Sequence, residues 1–457
     1  MQDREHWGSK MGFILAAAGS AVGLGNIWKY PHMAGQNGGA AFTLIYLICI
    51  VIVGMPIVIG EFVIGRRTQL SPVGAFKKLA PGTVWKHVGF LGVASAFVIL
   101  SFYSVVGGWT LKYAAMSLSG SFVDLAGNST LASERFNDFV TNTWNPLFWH
   151  AIFMGLCMWI IVNGVKSGIE RWSKIMMPLI LVILLVLVFR GITLPGGVEG
   201  VKFLFLPKFS DLTASSIVLA LGHSFFTLSL GMGTMITYGS YLGRSQNLLS
   251  SAFWVIAIDT AIALFAGIAI FTTVFALNAD PAEGPGLIFV VLPTIFPQIP
   301  GGLIWGTLFF FLLFLAALTS AISILEVVTA YFIDEKGWPR ARATYLFGGI
   351  IGVVGAFSSL SLGGPDDFPT FFGVSFFDFL DKASSKYMLP IGGMLTGIFI
   401  LAKWGLPSFL EELARGLRRE IVSVRLGKTM FGIAALVVFL IIVNEIFKTI
   451  TGHPLVG

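Results

Sequence analysis

The chain has 457 residues, of which 56% are hydrophobic and only 11% are charged, and its mean hydropathy is +0.85. Soluble domains carry about 25% charged residues, so this composition excludes a soluble globular protein and indicates an integral membrane protein. In a membrane protein the distribution of the basic residues along the chain matters more than the formal net charge of +6, so we do not expect a nucleic-acid partner.

Apolar runs that are long enough to cross a bilayer, about 20 residues, recur along the whole chain. In chain order we count eleven: 12–34, 40–65, 87–118, 147–165, 172–192, 213–242, 248–277, 302–333, 343–359, 374–402 and 429–448. The predicted fold class is an all-α integral membrane protein with 11 transmembrane helices, in a single transmembrane domain covering 1–457.

The first run is interrupted at its centre by the segment 19-GSAVGLGN-26. Each glycine weakens a helix by about 1 kcal/mol relative to alanine, and Asn26 brings a polar amide to mid-membrane depth. Unwound backbone at that depth persists only where it lines a cavity or is buried in protein. Gly19 and Gly23 also form a small-xxx-small motif, which taken alone is more typical of helix packing.

The sixth run, 213–242, is interrupted in the same way by Gly231 and Gly233, beside the hydroxyls of Thr227, Ser229 and Thr234. Two sets of five helices, each opening with a broken helix, predict a 5+5 inverted repeat with discontinuous helices 1 and 6. The expected bounds are 12–192 and 213–402, followed by an amphipathic connector at 403–428 and helix eleven at 429–448. The proline-rich apolar loop 278–301 is expected to be a packed lid.

Basic residues are distributed unevenly between the connecting segments. Of the 29 lysines and arginines, 20 fall in 1–11, 66–86, 165–174, 243–247, 334–342 and 403–428. Because cytoplasmic loops are enriched in Lys and Arg, we expect a multi-pass protein of the plasma (inner) membrane with a cytoplasmic N-terminus and an outside C-terminus. Cys49 and Cys157 lie in apolar runs, and no disulfide is expected between them.

The interruptions have a direct chemical consequence. A broken helix frees carbonyl oxygens at the end of one half, which suit Na⁺, and N–H groups at the start of the next, which suit a carboxylate. One break can therefore bind a cation and an anionic substrate group side by side. No Ser/His/Asp or metal-ligand cluster has catalytic spacing, so an enzyme is not expected.

Four segments of the chain resemble the neurotransmitter:sodium symporters, in particular their bacterial hydrophobic amino acid transporters. They are AGSAVGLGNIWKYP at 18–31, GGAAF at 38–42, FFTLSLGMG at 225–233 and AALTSAISILE at 316–326. The likeness runs from about residue 4 to 400, in order and with matching spacing. It implies sodium-coupled uptake of an α-amino acid by alternating access.

The resemblance also implies two sodium sites. The first would use Ala21, Asn26, Thr227 and Asp259 together with the carboxylate of the substrate. The second would use Gly19, Val22, Ala316, Thr319 and Ser320. For Thr319 and Ser320 the alternative is a hydrogen bond back to their own helical turn, as membrane-helix hydroxyls usually make.

The implied substrate site lies at the same breaks. The substrate carboxylate would meet N–H groups near Leu24 and Gly25 and the hydroxyl of Tyr103. The complete implied set is Ala21, Gly23, Leu24, Gly25, Ile99, Tyr103, Phe226, Thr227, Ser229, Met232, Ser320 and Ile324. A pocket without charge favours aliphatic or aromatic side chains, because an acidic or basic one would be buried unpaired. Gly23 stands where monoamine carriers of the family have an aspartate, which favours an α-amino acid.

Several positions depart from the family pattern. Asp259 and Ala263 stand where chloride-dependent members have an asparagine and a serine, so we expect no chloride requirement. Asp259 would supply the negative charge instead; its protonation in the empty carrier, with proton counter-transport, is a secondary hypothesis. His223 replaces a glutamine and is expected to hydrogen-bond rather than titrate.

Two gates are implied by the resemblance. The outer gate would be Lys29 and Asp381 above a lid of Tyr103 and Phe226, with lysine lacking the bidentate fork of the family's arginine. The inner gate would be Arg4, Trp7 and Asp334. Glu61 and Glu326 are expected to have structural hydrogen bonds.

The sequence is also compatible with other functions. One is a proton-coupled amino acid carrier of the same architecture; another is a non-transporting receptor or a channel. The expected partners are a hydrophobic amino acid, two sodium ions and membrane lipid. A monomer is expected to be sufficient for transport, with a dimer as the alternative assembly.

Overall fold

The computed structural model describes residues 4–277, 286–363, 369–416 and 423–451, and the regular secondary structure within these ranges is helical apart from an isolated β-bridge between Phe371 and Val374. In chain order the principal helices are α1 (Lys10–Ala21), α2 (Gly25–Gln36), α3 (Ala40–Thr68), α4 (Lys86–Leu118), α5 (Asn145–Val162), α6 (Val165–Ile192), α7 (Ala214–Thr227), α8 (Thr234–Ser240), α9 (Leu248–Ala276), α10 (Gly302–Lys336), α11 (Arg340–Leu360), α12 (Phe376–Trp404) and α13 (Val424–Thr451).

Shorter helices connect the principal ones. They are Pro72–Leu79, Ser129–Thr141, Gly197–Phe205, Leu287–Gln298 and Leu406–Ala414. The buried helix Leu287–Gln298 forms the packed part of the predicted lid, whose residues 278–285 lie outside the described ranges. The two cysteines are buried and free.

The all-helical, multi-pass membrane class is confirmed. In the described part of the chain nine helices are long and apolar enough to cross a membrane, and α1 and α2, bent by 49° at their junction, make a tenth span. The predicted span 213–242 is divided into α7 and α8, of 14 and 7 residues, neither of which crosses alone. The count of eleven spans and the inverted repeat stay predictions.

The centre of the molecule is α10, which is 35 residues long and has 89% of its most apolar window buried. A helix that is apolar on every side is stable only when it is surrounded by other helices or lipid. α4 packs along α10, and α1 packs against both α9 and α10. The break between α1 and α2 therefore faces the protein interior, where unwound backbone can find partners.

The helix bounds differ most from the apolar runs at two places. The predicted inner loop 165–174 is helical, because α6 begins at Val165 and only Asn163 and Gly164 separate it from α5. Likewise α13 begins at Val424 rather than 429, and residues 417–422 of the connector lie outside the described ranges. In both places the predicted span begins only after the charged residues, because they lower the local hydropathy. The helix itself includes these residues, because charged side chains at a helix end can reach the membrane surface.

Candidate functional site

The break in the first span is built from residues 22–24. Val22 leaves α1 in an extended conformation (φ −72°, ψ 107°), although its N–H still bonds to the Ala18 carbonyl. The Gly23 N–H then donates to Asn26 Oδ1 at 3.0 Å. The fully buried Asn26 side chain thus satisfies a backbone group that the break releases, which is why an asparagine is tolerated at this depth.

The residues of the predicted second sodium site come together between this break and α10. The Ser320 hydroxyl lies 3.1 Å from the Val22 carbonyl and 3.5 Å from the Gly19 carbonyl. The Thr319 hydroxyl lies 3.3 Å from the Val22 carbonyl and 2.9 Å from the Ala316 carbonyl. Oxygen atoms from two helices thus form a compact cluster, the kind of donor set that a hard cation requires.

Three of the four residues of the predicted first site also meet. Asn26 Nδ2 donates to the Asp259 carboxylate at 2.8 Å, and the Thr227 hydroxyl donates to the same carboxylate at 3.1 Å. Asp259 is fully buried in the middle of α9. Ala21 lines the adjoining cavity rather than this cluster. The ionised form of a buried aspartate needs a compensating charge, which a cation at this cluster would supply.

The break between α7 and α8 is fixed by close backbone approach. Gly231 has φ +76°, and a Cβ there would overlap the Leu389 carbonyl of α12. Its N–H donates to the buried Glu61 carboxylate of α3 at 2.9 Å. The predicted structural role of Glu61 is therefore specific, because it satisfies an amide that the second break releases.

Replacing Glu61 with alanine is expected to lower the melting temperature of the purified protein by several degrees, because a buried N–H left unpaired costs about 1–3 kcal/mol. Glu61→Gln, which retains an acceptor oxygen for Gly231, is expected to lose much less. Thermal unfolding in detergent measures both variants, and equal losses would contradict the assigned hydrogen bond.

A cavity of about 20 Å³, room for one water molecule, lies between the two breaks, α4 and α10. It is lined by Ser20, Ala21, Gly23, Gly25, Ile99, Tyr103, Phe226, Ser229, Met232, Ser320 and Ile324. Ten of the twelve predicted substrate-site residues are in this lining; the other two, Leu24 and Thr227, lie directly behind it. The Leu24 N–H lies 3.2 Å from the Tyr103 hydroxyl, so these two predicted carboxylate ligands are already neighbours.

Ser20 is a lining residue that the sequence interpretation missed. The Ser229 hydroxyl donates to the Ser20 carbonyl at 2.9 Å, and the Ser323 hydroxyl donates to the Ser20 hydroxyl at 2.8 Å. Ser229 has φ +52°, a left-handed conformation unusual for serine. These serines join the two breaks and α10 at the floor of the cavity.

A larger cavity of about 440 Å³ lies on the far side of Phe226, whose ring lines both spaces. Lys29 and Asp381 form an ion pair at 2.8 Å in this larger cavity, which we call the vestibule, and the Lys29 ammonium lies 4.2 Å from the centre of the Phe226 ring. The predicted outer-gate residues therefore meet, with Phe226 between the ion pair and the small cavity.

His223 packs against Tyr30 and Tyr46. Neither of its ring nitrogens has a hydrogen-bond partner among the described residues, whereas we expected His223 to form a hydrogen bond.

Lys29→Gln is expected to speed the dissociation of bound substrate by about two- to tenfold, because a partly exposed ion pair and a cation–π contact each contribute up to about 1 kcal/mol. Release of a tritiated hydrophobic amino acid after dilution measures this rate. Lys386→Gln, which removes an ion pair with Glu445 from the same vestibule, is the matched control. An equal effect of both substitutions would show that the gate assignment is wrong.

The predicted inner-gate residues meet at the opposite end of the molecule. Arg4 forms an ion pair with Asp334, and its guanidinium also donates to Ser240 and lies 4.5 Å from the centre of the Tyr241 ring. Trp7 Nε1 donates to the Tyr238 carbonyl at 2.9 Å. The N-terminal segment is thus held against α8 and α10.

A second charged network at this face was not apparent from the sequence. Arg340 contacts the buried Glu326 at 2.6 Å and Glu5 at 3.0 Å. The Tyr241 hydroxyl donates to the other Glu326 oxygen at 2.5 Å. Glu326 therefore forms an ion pair with Arg340 in addition to the structural hydrogen bond that we expected. The ion pairs of both predicted gates are therefore formed in this structure.

Comparisons with known proteins identify the family. The profile of the Sodium:neurotransmitter symporter family matches residues 4–142 and 132–453. The sodium-dependent transporter YhdH of Bacillus subtilis is 42% identical over 410 residues, which cover 90% of each chain, and a sodium-dependent transporter of Haemophilus influenzae is 34% identical over 87% of this chain and 89% of that protein.

A solved structure is similar over nearly its whole length. The crystal structure of MhsT in complex with L-phenylalanine matches with a TM-score of 0.87 and 46% identity, covering 97% of this chain and 99% of that one. The family profile covers both helix breaks and both gates. The chain is therefore a multi-pass, non-enzymatic symporter that belongs to the Sodium:neurotransmitter symporter family.

Proposed function

We propose that the chain takes up a hydrophobic α-amino acid, aliphatic or aromatic, coupled to sodium by alternating access. One observation carries the proposal: the segment 19–26 contributes to both oxygen clusters and to the wall of the small cavity. A cation and a substrate bound at a shared segment stabilise each other, which is the condition for symport. The phenylalanine bound by MhsT, 46% identical, supports the substrate class.

The proposed substrate contacts follow from the cavity lining. The carboxylate would accept hydrogen bonds from N–H groups at Leu24 and Gly25 and from Tyr103, at the positive end of α2. The side chain would contact Ile99, Phe226 and Met232, which carry no charge. Because the small cavity has room for only about one water molecule, binding would require Phe226 and the flexible Met232 to move away from its centre.

Two sodium ions are proposed, one at each oxygen cluster. Each cation that crosses 100 mV releases about 2.3 kcal/mol, so two ions with a zwitterion release about 4.6 kcal/mol. That free energy supports roughly a thousandfold accumulation before any sodium gradient is added. Sharing the substrate carboxylate with the first ion would make sodium and substrate binding mutually dependent.

Transport is proposed to be independent of chloride. Asp259 places a buried carboxylate beside Asn26 and Thr227, and the side chain one turn later, Ala263, has no polar atom. The carboxylate supplies the negative charge that chloride brings in chloride-dependent members. Uptake is expected to be unchanged when chloride is replaced by gluconate, and its loss would contradict this part of the proposal.

The proposed cycle alternates the two gates around the fixed cavity. The units α1–α3 and α7–α9 would rock against α4–α6 and α10–α12. Opening outward would separate Lys29 from Asp381, and opening inward would separate Arg4 from Asp334. We propose a cytoplasmic N-terminus in the plasma membrane, so that the vestibule of the Lys29 gate faces outside.

Uptake into proteoliposomes tests the function. Uptake of tritiated leucine would be measured in the presence of an excess of each of the twenty amino acids in turn. The sodium concentration would be varied on both sides of the membrane. Hydrophobic amino acids should compete, and uptake should cease when external sodium is replaced by potassium at constant pH. Uptake driven by a proton gradient without sodium would instead identify the proton-coupled carrier, and saturable binding without accumulation would identify a receptor.

A further inference from the structure

A cavity of about 390 Å³ lies at the end of α6 that faces the inner gate, away from both oxygen clusters. It is lined by Gly8, Lys166, Glu170, Arg171, Lys174 and Ile175. Three cationic side chains and one carboxylate thus converge on one concave space. None of these residues has a role in the transport mechanism above.

The charges in this cavity do not balance. Glu170 is buried and accepts from the Gly8 N–H at 2.6 Å, the Ser9 hydroxyl at 2.9 Å and the Lys174 ammonium at 2.5 Å. Its charge is therefore matched by Lys174. In the part of the chain that the structure describes, Lys166 and Arg171 have no carboxylate within ion-pair distance. Two uncompensated cations in a concave space provide a site for an anion.

The position of the cavity indicates which anion. Beyond Arg171 the same face of α6 continues with Ile175, Leu179 and Val182, which are 50%, 37% and 57% exposed. These residues are spaced three and four apart, so they form one apolar stripe on a membrane-spanning helix. The cavity therefore joins a cationic end to a surface suited to acyl chains, which is the arrangement of charge and hydrocarbon in a phospholipid.

We propose that this cavity binds the phosphate of an anionic phospholipid headgroup, with Lys166 and Arg171 as its ligands and the acyl chains along Ile175, Leu179 and Val182. Basic pockets between helices at the cytoplasmic surface bind such headgroups in other membrane proteins. Lys166 Cε lies beside Gly8, 3.1 Å from where a Cβ on that glycine would stand, so a bound headgroup would lie next to the N-terminal segment that carries Arg4 and Trp7.

The proposal is tested with the full-length protein in phosphatidylcholine vesicles that contain spin-labelled phosphatidylglycerol. Preference is measured as the motionally restricted fraction of this label relative to spin-labelled phosphatidylcholine. Lys166→Gln/Arg171→Gln is expected to lower the preference about tenfold, while Arg171→Lys, which keeps the charge, is expected to retain it. The matched control is Arg244→Gln/Lys403→Gln, which removes two exposed basic residues elsewhere on the same side.

The outcomes separate the proposal from its alternatives. An unchanged preference in the Lys166/Arg171 double variant, or an equal loss in the control variant, overturns it, since the attraction is then a property of the whole surface. Displacement of the labelled lipid by millimolar inorganic phosphate would assign the site to a free anion and also overturns it. Retention of the label in phosphate, together with selective loss in the first variant, supports a lipid site.

Discussion

Asp259→Asn is expected to lower sodium-driven uptake by at least about a hundredfold, in chloride or in gluconate. The carboxylate is fully buried, and the Asn26 amide and the Thr227 hydroxyl contact it at 2.8 and 3.1 Å. Breaking a buried charge pair costs about 3–5 kcal/mol, because the remaining charge is left uncompensated. The sodium ion at this cluster would be that remaining charge. Initial uptake rates at fixed sodium measure the loss.

A second substitution makes the result specific for charge. Asp259→Asn/Ala263→Ser would restore the asparagine and serine of chloride-dependent members, and it is expected to recover uptake in chloride but not in gluconate. Asp138→Asn, at an exposed position in the helix Ser129–Thr141, is the control and should behave as the unchanged protein. Full activity of Asp259→Asn in gluconate would show that the carboxylate does not supply the required charge.

Gly23→Ala is expected to abolish uptake. A Cβ at this position would overlap the Ser320 hydroxyl and would lie 2.8 Å from the Tyr103 hydroxyl. Both hydroxyls belong to helices that are packed on several sides, α10 and α4, so neither can move away freely. The added methyl group would occupy the space proposed for the substrate carboxylate, and a loss of more than about a hundredfold in uptake is expected.

The control for this substitution is Gly349→Ala in α11, where an added Cβ meets no atom within 4 Å. Gly349→Ala should leave uptake unchanged, because alanine also favours a helix more than glycine does. Gly23→Ala protein that is folded, as judged by gel filtration, but binds no phenylalanine would support the assignment. Normal uptake by Gly23→Ala would place the substrate elsewhere.

The helix breaks were the features most accessible from the sequence. Glycines beside a polar residue at mid-membrane depth predict a break in the helix. Asn26 and Gly231 both lie at such breaks. The partners of Ser320 and Thr319 could be named only through the family resemblance, because they are about 300 residues away along the chain. Spacing alone contains no information about such distant contacts.

Other features could not be predicted for physical reasons. Ser20 looks like any hydroxyl that bonds to its own helix turn, and its role in the cavity floor depends on where Ser229 and Ser323 approach it. Glu326 and Arg340 form an ion pair although they lie on two different helices, α10 and α11, only 14 residues apart in the sequence. Predicting this pair would have required the geometry of the turn between the two helices. The loop predicted at 165–174 is helical, because charges at a helix end can reach the membrane surface.

Sodium and substrate are proposed to bind at one broken segment of the first span and therefore to depend on each other. Equilibrium binding of tritiated phenylalanine to the purified protein, titrated with sodium at constant ionic strength, tests it most directly. We expect the affinity for phenylalanine to rise at least tenfold with sodium, and the affinity for sodium to rise by the same factor with phenylalanine. Identical phenylalanine affinity in sodium and in potassium would contradict it.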